Sequence, residues 1–147
     1  MQSAQEGGDV IITDLKILSQ ISRPTSYKEV QELELESKLI RASKTAWIKG
    51  AGLAAIQIGF PLRFAWYIHN NKCHTLLNPE IINKWGEDMR DEGCLSIPNF
   101  WKSVTRAWTI EYLSGGKKRK ISGFEARLIQ HEIDHMNGIT IKNSEAK

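Results

Sequence analysis

The 147-residue sequence has no apolar run that approaches the ~18 residues needed to cross a bilayer. Its first nine residues are polar and contain glycine, without the basic start and long apolar stretch of an export leader. They read as a disordered lead before a domain at 10–147. Cysteine is scarce, with Cys73 and Cys94 alone. Without an export signal a disulfide is not expected, and in a reducing compartment each thiol is either a small buried hydrophobe or a metal-binding thiolate. A strong excess of one charge sign is also absent: the net charge of +3 is compatible with an RNA-rich neighbourhood but does not require nucleic-acid binding. There are no internal repeats and no linker, and the length suits one domain with a core rather than two.

What is present is a globular composition, 41% hydrophobic and 25% charged. Residues 27–47 carry an imperfect apolar stripe (Val30, Leu33, Leu35, Leu39, Ile40, Trp47) that predicts a helix, started by Pro24-Thr25-Ser26. Strands are expected at 62–69, at 75–85 with Asn78-Pro79 interrupting, at 91–97 up to Pro98, at 104–113, and at 117–122 after the turn Ser114-Gly115-Gly116. A helix is expected at 124–136, closed by Asn137-Gly138, and a last strand at 139–142. Strands followed by a buried helix, without βαβ alternation, imply an α+β fold. Mostly antiparallel strands would pack around the 124–136 helix, with another helix N-terminal to them.

The chemistry concentrates in Gln130-His131-Glu132-Ile133-Asp134-His135. Histidines four apart share one helix face, and the intervening glutamate lies about a hundred degrees round from the first, within reach of a water between them. Leu128, Ile129 and Ile133 make the surrounding helix apolar. Two imidazoles and a carboxylate would be costly there without a metal. Only Glu145, in a polar tail, could supply a third ligand from downstream, so the choices are His69, Cys73, His74 and Cys94. Cys94 is favoured because Gly93 permits close backbone approach. A thiolate with two imidazoles leaves a fourth position open and suits Fe(II), Zn(II), Co(II) or Ni(II). Cys73 and His74 adjoin on a strand and point to opposite faces, which marks them as structural or surface residues.

Gly50-Ala51-Gly52-Leu53-Ala54-Ala55-Ile56-Gln57, Glu92-Gly93-Cys94-Leu95-Ser96 and His131-Glu132-Ile133-Asp134-His135 together resemble the three signature motifs of peptide deformylases, in order and at similar spacing. Leu76-Leu77-Asn78-Pro79-Glu80, Ile97-Pro98 and Asn137-Gly138 extend the likeness over residues 50–141. The resemblance implies that Cys94, His131 and His135 hold one divalent ion, Fe(II) in the first instance, with Zn(II), Ni(II) or Co(II) as substitutes. It implies that metal-activated water attacks the formyl carbon of an N-terminal formylmethionine. Glu132 would act as base and then protonate the leaving amine. Gln57 and the Leu95 N–H would steady the oxyanion, and formate would leave.

Gly50, Ala51 and Gly52, which lack the lysine of a phosphate-binding loop, would let a peptide backbone pair as an added strand. Phe124 and Leu128, seven and three residues before His131, would line the methionine pocket, unless they are plain core. Asp134 would orient a ligand or bind an arginine. The implied partners are N-formyl-methionyl nascent peptides and, transiently, the ribosome, with no DNA and no membrane. The implied setting is a bacterial or phage-infected cytoplasm, or an organellar stroma or matrix.

Two departures stand out. The long C-terminal helix of many members is lacking, and Lys117-Lys118-Arg119-Lys120 is either a substitute contact to ribosomal RNA or a solvated hairpin tip. After Pro98, Asn99-Phe100-Trp101 departs from the pattern, with Trp101 a candidate groove wall. Two competing readings are a zinc peptidase, which lacks its downstream ligand, and a silent binding module, which would be expected to have lost Glu132, Gln57 or a ligand.

Overall fold

The computed structural model describes residues 10–45 and 51–143. The expected lead at 1–9, Trp47, Gly50 and Glu145 lie outside them. Three helical segments come first: α1 (Leu15–Leu18), α2 (Tyr27–Glu32) and α3 (Leu35–Thr45). Ser26 caps α2, its hydroxyl accepting from the Glu29 N–H at 3.1 Å. The single helix expected over 27–47 is broken. Leu33 closes α2 and Glu34 adopts a left-handed φ of 53°. The break gives α3 its own direction, and Leu35, Leu39 and Ala42 join Val30 in one apolar cluster. No glycine or proline marks that break in the sequence.

The strands are β1 (Gly52–Ala54), β2 (Phe64–His69), β3 (Lys72–Leu77), β4 (Glu80–Trp85), β5 (Asp88–Cys94), β6 (Ile97–Arg106), β7 (Thr109–Ser114) and β8 (Lys117–Ser122). The 3-10 turn Ala55–Ile58 follows β1, and helix α4 (Phe124–Met136) follows β8. They form three antiparallel sheets, ordered β1-β2-β3, β4-β7-β8 and β5-β6. In β2 four successive residues are buried because the strand is covered on both faces. Phe64 and Trp66 join the cluster under α2 and α3, while Ala65 and Tyr67 join a second cluster with α4. The α+β class and the antiparallel strands around the motif helix are as expected.

Strand boundaries differ where turns hide inside apolar runs. The expected 104–113 strand is divided at Ala107-Trp108 between β6 and β7. The expected 91–97 strand ends at Cys94, where Leu95-Ser96 turns the chain, so that Cys94 pairs with Ile97. Pro98 does not stop a strand. It sits within β6 where the register shifts, and a proline interrupts no ladder there. No strand forms at 139–142; Thr140 instead bonds the Asn143 side chain through its N–H (2.7 Å) and hydroxyl (3.1 Å). Ser114 pairs with Lys117 across Gly115-Gly116, both at positive φ, the expected hairpin.

Helix α4 has the expected bounds and carries two opposed stripes. At about a hundred degrees per residue, Ala126, Ile129, Ile133 and Met136 form one stripe and enter the core. Phe124, Leu128, His131 and His135 form the other, half a turn away. Gln130 fastens the helix sideways by bonding both the N–H (3.1 Å) and the carbonyl (3.0 Å) of Ala107. At the C-terminus the Met136 carbonyl accepts from Ser22 N–H and the Arg63 guanidinium. Gly138 follows with φ of 76°, and a Cβ there would stand 2.4 Å from the Ser19 carbonyl oxygen. Gly138→Ala therefore meets both backbone strain and a backbone clash. It should lower stability by about 2 kcal/mol or more and the thermal midpoint by roughly 5 °C. An unchanged melting curve would contradict this close approach.

Candidate functional site

The second stripe of α4 faces the end of the β5–β6 hairpin. Cys94 Sγ lies 3.4 Å from His135 Nε2, which lies 3.3 Å from His131 Nε2. All three ligand atoms fall within 4.8 Å of one another. A tetrahedral ion with bonds of about 2.0–2.3 Å spaces its donors roughly 3.3–3.8 Å apart, so one ion fits this cluster. Among the described residues this is the grouping of cysteine, histidine and acidic side chains that could hold a metal. His69, Cys73 and His74 are not in it. Cys73 is exposed, and His74 stacks on Tyr67 with ring centroids 4.8 Å apart.

Glu92 holds His131 in place, its Oε1 lying 2.9 Å from Nδ1 and leaving Nε2 to face the cluster. The same carboxylate accepts from Arg106 at 2.6 and 2.9 Å and from Arg127 Nη1. Arg106 also reaches Asp134 at 2.9 Å, which is the arginine contact expected of that acid. Arg127 continues to the carbonyls of Asp88 and Val104. Burial alone would raise the Glu92 carboxyl, but hydrogen bonds from His131 and Arg106 outweigh it and hold it well below its usual range. Burial likewise opposes charge on His131. Its bonds to Cys94 and Glu92 prevail and raise it to about 10. Burial and the charged His131 push His135 well below its ordinary value.

Glu132 projects between the two stripes and is buried. Burial raises its carboxyl to about 7, and its Oε1 has no hydrogen-bond partner. Its Oε2 rests against Gly52, where a Cβ would come within 2.8 Å. Gln57, also buried, is fixed at both ends. Its Oε1 accepts from Ala54 N–H at 2.9 Å, and its Nε2 donates to Ser96 Oγ at 3.0 Å and approaches Cys94 Sγ at 3.5 Å.

These groups border one cavity of about 640 Å³ whose lining includes Ala51, Gly52, Leu95, Phe124 and Leu128. The structure thus brings together every expected site residue within the described range; Gly50 lies outside it. Sequence reasoning assigned no role to Glu92, Ser96, Arg106 or Arg127. A signal existed for two of them: Arg127 interrupts the apolar stretch Ala126–Ile129, and strand alternation puts Arg106 on the inward face of Val104. Glu92 and Ser96 stood within the second of the three motifs, which carried no role for them.

A cation centre beside a buried, unpartnered carboxylate is the equipment of hydrolytic metalloenzymes. The model of the polypeptide deformylase family matches residues 9–146. The chain is 37% identical to a peptide deformylase of Dictyoglomus thermophilum over 125 residues, 80% of this chain and 82% of that one. It is 41% identical to one of Helicobacter acinonychis over 104 residues, 62% of this chain and 59% of that one. A crystal structure of a probable peptide deformylase from Synechococcus phage S-SSM7 superposes with a TM-score of 0.81 at 32% identity, covering 91% and 98% of the two chains. The chain belongs to the polypeptide deformylase family, metal-dependent hydrolases whose function is to remove the N-formyl group from nascent peptides.

The Glu92 network predicts an acid-side loss of stability. A carboxyl lowered from its ordinary 4.5 stabilises the fold above that pH, and the contribution fades as pH falls through the depressed native value. Glu92→Gln should destabilise by about 3 kcal/mol at pH 7, since it leaves buried arginines short of a partner charge. The gap to the native protein should narrow below about pH 4. Denaturant midpoints measured from pH 3 to 7 check this, and a gap constant across that range would contradict it.

Proposed function

We propose that this chain hydrolyses the formyl amide of N-terminal formylmethionine on nascent polypeptides. Cys94, His131 and His135 hold one divalent ion, and Glu132 moves the proton. The observation that carries the reading is the Glu132 carboxylate, buried beside the donor cluster at the border of the cavity, with Oε1 unpartnered. Bound at the cluster, the ion supplies Lewis acidity, which polarises a carbonyl and acidifies water near neutral pH. Fe(II) is the proposed native ion, with Zn(II), Ni(II) or Co(II) as substitutes, because a thiolate and two imidazoles suit borderline-soft metals.

Glu132 takes a proton from the attacking water and delivers it to the leaving nitrogen. The water oxygen departs in formate, and the broken C–N bond leaves a free amino terminus. Gln57 Nε2 and the Leu95 N–H donate to the oxyanion. Gln57 is pre-oriented for this by Ala54 and Ser96, and such a donor is worth about 3–4 kcal/mol. The substrate backbone pairs with Gly50, Ala51 and Gly52; β1 has β2 on one side only, which leaves its other edge for an added strand.

Phe124 and Leu128 receive the methionine side chain. Phe124 is 54% exposed, unlike a core residue, and borders the cavity. The setting is the compartment where formylated chains emerge: a bacterial or phage-infected cytoplasm, or an organellar stroma or matrix. Transient ribosome contact is assigned to the exposed basic run Lys117, Lys118, Arg119 and Lys120 on β8, in which Lys118 also pairs with Glu111 and Arg119 with the Tyr112 hydroxyl.

Fe(II)- or Ni(II)-loaded protein should release formate from formyl-Met-Ala-Ser, and Glu132→Ala should be slower by about a hundredfold or more. No formate from the loaded native protein would sink the activity, and equal rates would sink the role of Glu132. Metal content after dialysis separates the two cysteines. Cys94→Ser should lose the ion and Cys73→Ser should keep it, whereas equal retention would refute the ligand set.

A further inference from the structure

The cavity continues from the ligand cluster to a mouth on the β5–β6 hairpin, where Trp101 borders it. The bulge puts it there. Residues 98–101 leave the ladder between the Glu92–Lys102 and Cys94–Ile97 pairs, and Asn99 turns with φ of 60°. The indole lies against Gly93, where a Cβ would stand 2.7 Å from Cζ3 and 2.9 Å from Cη2. A side chain at residue 93 would displace the ring. Even so, Trp101 is 64% exposed, with one part of its surface seated on bare backbone and the rest turned to the cavity and solvent. The charges around it are occupied. Arg90 pairs with Asp88 at 2.7 Å, Asp91 accepts from Ser103 at 2.7 Å, and Arg127 is directed inward to Glu92 and Asp88. The mouth therefore presents a flat aromatic surface among partnered charges, which suits an uncharged planar side chain.

We propose that Trp101 is a specificity platform on which the side chain of the third substrate residue stacks, favouring an aromatic residue there over a small polar one. The inference rests on the deformylase reading above. An extended peptide laid between β1 and residues 93–95 runs beside Gly93, which carries the indole. Side chains two apart on such a peptide share a face at about 6.6 Å separation, so the third residue is the next on the methionine side.

The test compares formyl-Met-Ala-Phe with formyl-Met-Ala-Ser for the native protein, Trp101→Ala and Trp101→Phe. The native ratio of kcat/KM should favour the phenylalanine peptide about fivefold or more. Trp101→Ala should bring the ratio to about one, and Trp101→Phe should recover most of it. A native ratio near one, or one undiminished in Trp101→Ala, overturns the proposal. Calorimetry with the products Met-Ala-Phe and Met-Ala-Ser reads the platform without turnover. If no peptide yields formate, the deformylase reading fails alone. Tighter Met-Ala-Phe binding that is lost in Trp101→Ala then still supports the platform, and equal binding of the two peptides overturns it.

Discussion

One buried carboxylate, Glu92, ties the catalytic helix to the hairpin that faces it. Its two oxygens accept from Arg106 on β6, from Arg127 on α4 and from the His131 ring, so three elements meet on a single side chain. For stability alone such a network is a poor choice, because desolvating several charges offsets most of their attraction, and apolar residues of similar volume would often do as well. What apolar residues cannot do is fix an imidazole's rotation. With Nδ1 engaged by Glu92, the His131 ring has one orientation and Nε2 one direction, and Cys94, two residues beyond Glu92 on β5, is placed by the same strand. The network sets the distances among the three donors.

A second constraint comes from the helix itself. Its core stripe must be apolar for α4 to sit against β2, and its opposite stripe must carry the ligands. Glu132 falls between the two and would be a liability in an ordinary packed helix. It is tolerated because Gly52 removes a side chain from the facing strand and leaves a slot in which the carboxylate fits against backbone. The same bare edge of β1 is where an extended peptide could pair. A single glycine thus serves both the proton carrier and the substrate groove of the proposed reaction, and a methyl group there would meet Glu132 Oε2 at 2.8 Å.

Much of this was legible in the residues. The HExDH spacing gave the helix, its bounds and two ligands, and the lack of a plausible downstream partner directed attention to Cys94. The strands were legible where turns carry glycine, as at Gly115-Gly116. They were blurred where turns are built from residues with no such signal, as at Leu95-Ser96 and Ala107-Trp108. Glu34 illustrates the general difficulty. Its left-handed backbone is stabilised by the burial of Leu35, Leu39 and Ala42 beyond it, a tertiary gain that no local propensity encodes. Arg106 and Arg127 carried a positional signal but no partner: a buried arginine is read as a surface residue until its carboxylate is located in space.

The two walls of the cavity differ in kind, and the difference follows from how each is anchored. On the ligand side, Gln57 is bonded to Ser96 and, separately, Glu92 to both arginines, in a low-dielectric interior where any misplacement leaves a polar group unpaired. That side is therefore pre-organised, as an oxyanion site requires. On the mouth side, residues 98–101 stand outside the β5–β6 ladder and Trp101 rests on a glycine rather than interlocking with side chains. Phe100 alone of this stretch turns inward, onto the Ile97, Val104 and Ile141 cluster that Cys94 also touches, whereas Trp101 is 64% exposed. On the proposed reading the chemistry belongs to the bonded wall, and selection among substrates to the wall that the ladder releases.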